Sequence, residues 1–285
     1  MQSIAKDVYI ADKFQGVTVG AVNLSHGLIQ IDAPPSPEDG HTWRAALLNL
    51  SGSSERILVT LDTHPDRTLG ARLMDCPVVS QEKAMQVFRS RPVAFKAQGD
   101  ETGADWESIP GLSNIRWTVP EICFSHHMTL HWGDISAQLE YHPGPSIGSS
   151  WVVLPEVRVI FVGDAVVCNQ PPFLTGADIP NWLETLKQLL SPAYRDYIVV
   201  AGRGGVAPAA AIKAQIEFLN LVKSRLEKLA AQHAAPDSTE DLVPSLSNIL
   251  KYQTAHDQRY TQRLRYGLRQ YYLRHYHAST SKAED

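Results

Sequence analysis

Apolar positions along this chain follow two periods, and their order sets out the elements. Residues 16–24 are small and β-branched, and Leu28-Ile29-Gln30-Ile31-Asp32 alternates after the turn-like Ser25-His26-Gly27, so the first 32 residues predict strands. Ala33-Pro34-Pro35 breaks the pattern. Ser36-Pro37-Glu38-Asp39 then opens a helix, with a capping serine, proline at the first helical position and acids in the first turn. Trp43, Ala46, Leu47 and Leu50 form its apolar stripe. A strand is predicted over 56–61 and a serine-capped helix over 80–89, while residues 97–115 lack periodicity and read as a surface loop. Residues 128–132 and 135–141 flank Gly133-Asp134 as a hairpin, and residues 151–154 and 157–162 form a second pair around Pro155-Glu156.

Ile179, Trp182, Leu183, Leu186 and Leu190 mark another helix, residues 197–201 a short strand, and Ile212, Ile216, Leu219, Leu226 and Leu229 a long helix after Pro208. Two strand groups, each followed by helices, fit a layered α/β sandwich with helices outside. By composition residues 234–245 are a linker, which divides the chain into a domain over 1–233 and a helical extension over 246–285.

Composition adds little. With 285 residues, 44% hydrophobic and 20% charged, the chain has an ordinary globular make-up, and a net charge of −4 gives no global field for nucleic acid or membrane. Cys76, Cys123 and Cys168 are widely spaced and odd in number, which favours reduced thiols over a disulfide framework. The N-terminal residues lack an apolar signal core, and no run approaches the roughly 20 apolar residues of a membrane span. The expectation is a cytoplasmic protein.

The chemistry concentrates where an apolar strand runs into Asp62-Thr63-His64-Pro65-Asp66-Arg67. Three further loops carry polar groups at strand ends: Pro143-Gly144-Pro145-Ser146-Ile147-Gly148, Phe161-Val162-Gly163-Asp164, and Val199-Val200-Ala201-Gly202-Arg203-Gly204. With the opening hairpin over 20–32, whose last residue is Asp32, these segments resemble, in order, the motifs of the metallo-β-lactamase superfamily (a glyoxalase II-like hydrolase fold). The resemblance spans roughly residues 8–230 and implies a four-layer αββα sandwich with a C-terminal helical extension.

The departures from that pattern carry the functional question. The His-x-His-x-Asp-His signature has Asp62 at its first histidine and Arg67 at its last. Pro145 stands for the third histidine of the first metal site, and Arg203 for the last histidine of the second. The resemblance thus leaves Asp62, His64 and bridging Asp164 as candidate ligands of one divalent cation; His142 is a remote fourth candidate. Arginine offers only donors and cannot ligate a metal. An oxygen-rich remnant leans towards Mn²⁺, Fe²⁺ or Mg²⁺ rather than Zn²⁺.

Charge counting favours a metal-free alternative: Asp62, Asp66 and Asp164 against Arg67 and Arg203, with a protonated His64 closing the balance. Two function classes follow. One is a non-hydrolytic protein binding a small anion in a pocket of Arg67, Arg203, Asp62 and His64, with no cofactor. The other is a single-metal hydrolase of an ester, thioester, lactam or phosphodiester, with Asp66 and Asp164 catalytic.

No P-loop or nucleophile elbow occurs, and adjacent His126 and His127 would point to opposite faces of a strand. The tail carries a four-residue ladder of Tyr260, Leu264, Leu268 and Tyr272 among six Lys/Arg and two Asp over 241–277. It predicts a helix that packs on the body or on a second copy of the chain, making a homo-oligomer, in preference to binding nucleic acid.

Overall fold

The computed structural model describes residues 1–50, 55–97, 101–250 and 256–277. The first strands form a seven-stranded sheet in sequence order: β1 (Gln2–Ala5), β2 (Val8–Ala11), β3 (Val19–Leu24), β4 (Gly27–Ile31), β5 (Arg56–Val59), β6 (Val78–Gln81) and β7 (Ile122–Phe124). Pairing is antiparallel from β1 to β4 and parallel from β4 to β7. The second sheet holds β8 (His127–His131), β9 (Ser136–Tyr141), β10 (Ser150–Leu154), β11 (Val159–Phe161) and β12 (Ile198–Val200), ordered β12-β11-β10-β9-β8. Only β11 and β12 are parallel there.

The alternation of strand side chains decides the layers. Ile29, Ile31, Ile57 and Val59 point between the sheets, where they meet Leu139, Val152, Leu154 and Phe161. Leu28, Leu58 and Val78 point outward onto Trp43 and Leu47 of α1 (Pro37–Leu50). On the other side Trp151, Val153, Ile160 and Val199 point outward onto helices α4 (Ile179–Leu189) and α5 (Ala209–Ala231). With both faces of both sheets covered, the central strands are near-continuously apolar. The result is the four-layer αββα sandwich.

Two shorter helices, α2 (Pro65–Thr68) and α3 (Glu82–Ser90), follow β5 and β6. The linker read from composition, residues 234–245, overlaps a 3-10 segment (Pro236–Leu242) and the short helix α6 (Val243–Ser247), with Val243 and Leu246 buried in the outer core. The tail helix α7 (Asp257–Tyr272) continues as a π-helical turn, Leu273–His277. Residues 251–255 and 278–285 of the expected extension lie outside the described residues. Leu264, Leu268, Tyr271 and Tyr272 are buried in the same core as α4 and α5. The apolar ladder is therefore covered within the chain, which removes the argument that a second copy must cover it. Among the described residues no helix is long and apolar enough to cross a membrane.

The expectation for residues 97–115 needs correction. Residues 98–100 lie outside the described residues, but Ala104, Asp105 and Leu112 are buried. Leu112 packs with Leu69 and Phe95, flanked by Trp106, Ile109, Ile115 and Trp117. Apolar residues without a period gave no element signal, yet there are enough of them to form a small satellite core.

A carboxylate–guanidinium cluster at the strand ends

Four loops leave the carboxyl ends of parallel strands and meet at one end of the sandwich: Asp32 after β4, residues 62–67 after β5, Asp164 after β11 and Arg203 after β12. Such strand ends are where open α/β sheets gather functional groups. Asp32 sits in the left-handed region at φ 56°, which Asp tolerates better than most residues. There its Oδ1 accepts the Leu61 amide at 2.9 Å and its Oδ2 accepts Arg67 Nη1 at 2.7 Å. His64 caps α2, with Nδ1 accepting the Asp66 amide, and Pro65 takes the first helical position.

The structure brings together all six residues expected to converge. Fully buried Arg67 places every nitrogen against a carboxylate: Nη1 on Asp32, Nη2 on Asp164, and Nε 3.0 Å from Asp62 Oδ1, although that last pair is not aligned as a hydrogen bond. Arg203, equally buried, does the same. Its Nη1 donates to Asp66 at 2.7 Å and Asp105 at 2.9 Å, while Nε and Nη2 reach the two Asp164 oxygens at 3.1 and 3.2 Å. Gly202 makes this approach possible, because a Cβ there would stand 2.5 Å from Asp164 Oδ1.

Several members of the cluster escaped the sequence. Asp105, at the centre of the supposed surface loop, accepts from Arg203, Arg259 Nη1 at 2.8 Å and Arg263 Nη2 at 2.8 Å. Arg263 lies on α7, fully buried, and also donates to the Gly103 carbonyl at 2.9 Å. Phe173 stacks beneath both cations, 4.6 Å from Arg203 and 4.1 Å from Arg263. No local motif marks Asp105 or Arg263; only the tail's arginine content hinted at partners. Asp32 was visible solely as the acid ahead of the first helix. His142 takes no part: it stacks on Trp151 with ring centroids 3.6 Å apart and contacts Glu140 at 2.9 Å.

The electrostatics depart from the simple charge count. His64 does not close the balance, because burial and the neighbouring Arg203 push its pKa well below the ordinary value, with Asp164 opposing them too weakly. Burial and Arg203 thus favour its neutral form. Balance comes from a larger set, five carboxylates (Asp32, Asp62, Asp66, Asp105, Asp164) against four guanidiniums (Arg67, Arg203, Arg259, Arg263). Burial drives Asp32 up to about 7 despite Arg67, and Asp66 up to about 6 despite Arg203. At both, burial favours the proton-bound form, which offsets the excess of carboxylates. Burial also raises Asp62, whereas for Asp164 and Asp105 the adjacent guanidiniums outweigh burial and hold both below the usual range.

These residues do not fit a metal. The Asp164 oxygens and Asp62 Oδ1 already face guanidinium nitrogens, and His64 Nδ1 faces the Asp66 amide and Arg203 Nη2. A divalent cation at Asp62, His64 and Asp164 would sit beside two buried positive charges. Among the described residues no group of three or more His, Cys, Asp or Glu is placed to hold one.

Clefts flank the cluster on two sides. One, of about 280 Å³, is lined by Asp62, His64 and Asp164 with Arg91, Trp106 and Phe173. The other, of about 810 Å³, reaches Asp105 and Arg203 past Lys13, His256 and Arg259.

Comparison with known proteins places this geometry. Residues 76–202 match the family model of the metallo-beta-lactamase superfamily; the match begins beyond Arg67 and stops just short of Arg203. No curated protein sequence matches the chain. Among solved structures, the DIM-1 metallo-beta-lactamase exposed to ceftazidime aligns at a TM-score of 0.59 and 16% identity, over 77% of this chain and 95% of that one. A metallo-beta-lactamase from Pontibacter korlensis aligns at 0.57 and 17%, over 77% and 97%. The stereoselective inverting sec-alkylsulfatase Pisa1 from Pseudomonas sp. aligns at 0.67 and 13%, over 99% of this chain but 51% of that one. At these identities the structural likeness concerns the fold.

Proposed function

We propose that this chain, of which residues 76–202 match the family model of the metallo-beta-lactamase superfamily, is a non-hydrolytic member of that superfamily that binds a small anionic molecule. The observation behind this reading is the engagement of every Arg67 and Arg203 nitrogen with a carboxylate. The two guanidiniums supply the positive charge that metal ions would otherwise bring to Asp62, Asp66 and Asp164, and they cannot polarise a water into a nucleophile. They hold the strand-end loops together, while the cleft beside them remains available to a ligand. Arg67 and Arg203 are spent on this internal lattice, so contact with the ligand falls to other cleft residues.

A hydrolytic reading keeps two supporting observations: Asp62, His64 and Asp164 open on the same cleft, and the structural neighbours include a lactamase and an alkylsulfatase by name. It would require Arg67 and Arg203 to withdraw from Asp164 and leave buried charges unpaired, at about 3–5 kcal/mol for each broken pair. Hydrolysis assays on the purified chain separate the two readings. Lactam, thioester, phosphodiester and sulfate-ester probes should turn over no faster than in buffer, with or without Zn²⁺ or Mn²⁺. Metal-dependent turnover that vanishes in Asp164→Ala would establish the hydrolase instead.

A further inference from the structure

Arg91 differs from every other guanidinium near the cluster. Arg67, Arg203, Arg259 and Arg263 each contact a carboxylate. Arg91, just beyond α3, forms no ion pair among the described residues. Its Nη2 donates to the Thr63 carbonyl at 2.7 Å, its Nη1 is buried with no acceptor, and its plane rests 4.3 Å from the Trp117 ring. Burial lowers its pKa to about 10 against the pull of Asp62, so the group stays charged at neutral pH although no carboxylate pairs with it directly. A partly desolvated cation with no carboxylate paired to it is unfavourable, and an anion in the cleft that Arg91 lines would supply the missing counter-charge.

His64 supplies a second donor to the same cleft. Its Nδ1 accepts the Asp66 amide at 3.3 Å and also faces Arg203 Nη2 at 3.3 Å. Because Nδ1 accepts the Asp66 amide, it carries no proton, and the ring N–H is on Nε2. The remaining wall carries Asp62 and Asp164, each held by Arg67 or Arg203, and is otherwise largely apolar: Phe173, whose ring centroid is 4.2 Å from that of His64, with Trp106, Pro65 and Pro145. A volume of about 280 Å³ lies at the small end for a ligand pocket.

We propose that this cleft takes a small organic anion with an apolar body, its oxyanion head held by Arg91 and by the Nε2–H of His64, and its body lying along Phe173, Trp106 and Pro145. The assignment rests on the binding role proposed above, and it makes Arg91, absent from the motif positions, the residue that selects for charge.

Titration calorimetry on the full-length chain at low salt tests it with octanoate, its neutral counterpart 1-octanol, and inorganic phosphate. Octanoate should bind about tenfold or more tightly than either, a difference of ~1.4 kcal/mol or above. Arg91→Gln should weaken octanoate by about the same factor and leave 1-octanol unchanged, with Arg91→Lys in between. Equal affinity for octanoate and 1-octanol in the unmodified chain, a comparison that needs no variant to fold, would overturn the assignment. So would an Arg91→Gln protein, folded by circular dichroism, that keeps its octanoate affinity. Lack of octanoate selectivity without metal-dependent turnover defeats this inference alone; turnover with selectivity intact defeats the non-hydrolytic reading alone.

Discussion

Arg203 sits where three carboxylates converge, and the loss of its side chain should be costly. Replacing it with leucine strands Asp66, Asp105 and Asp164 around an apolar group. Breaking a buried charge pair from one side typically costs about 3–5 kcal/mol, and the midpoint of chemical denaturation should fall accordingly. A loss below ~1 kcal/mol would mean that the carboxylates find water or protons easily, and that the lattice is less closed than its geometry indicates. Asp32 gives a signed pH dependence. Its folded pKa, about 7, lies above the ordinary 3.8. The native state therefore holds a proton that the unfolded chain releases, and the associated stability is complete below pH 4 and lost as pH rises through 7. Asp105 and Asp164, held low, act oppositely: their contribution is present above pH 4 and lost below it. Asp32→Asn removes the first effect only. Denaturation of both proteins across pH 5 to 8 should show the variant gaining relative to the parent as pH rises; a flat difference or the opposite slope would refute the assignment to Asp32.

At the level of elements, the tail helix α7 is part of the site rather than an appendage. Arg259 and Arg263 clamp Asp105, Tyr266 lines the smaller cleft, and Leu264 and Leu268 are in the outer core. A chain ending at residue 250 should lose its near-ultraviolet circular dichroism and expose apolar surface to a dye such as ANS. A truncated protein with native spectra would show that the sandwich stands without the helix. Arg263→Ala is the milder test, with destabilisation of about 2–4 kcal/mol expected from one desolvated partner left on Asp105. Sequence patterns located most elements because each strand and helix carries its own period: the alternation at Leu28-Ile29-Gln30-Ile31 and the stripe from Ile179 to Leu190 are local facts. The loop over 97–115 was misread because its apolar residues follow no period, and burial there depends on Leu69 and α7, distant in the chain. Asp105 escaped for the same reason: an acid beside Gly103 and Ala104 reads as solvent-facing until three arginines from two other elements arrive around it. The six motif residues were legible because the strands that carry them fix where their loops must meet.

Taken whole, the molecule combines a four-layer αββα sandwich with a strand-end cluster in which guanidinium groups hold the carboxylates. Charge balance links the two: without ions, five acids at one end of a core would repel one another and resist burial, and four arginines drawn from α2, the loop after β12 and α7 resolve that conflict. The cluster thereby ties both sheets to the tail helix, so the site and the fold should lose order together. Its central feature, guanidinium in the place of metal, is open to direct measurement. The chain should be purified without affinity tags that bind metal, dialysed against excess Zn²⁺ and then Mn²⁺, desalted, and analysed for bound metal by plasma mass spectrometry. Metal content far below one ion per chain in both cases is the result expected from a lattice whose carboxylate oxygens are already taken. Stoichiometric metal that disappears when Asp164 is replaced by alanine would contradict it.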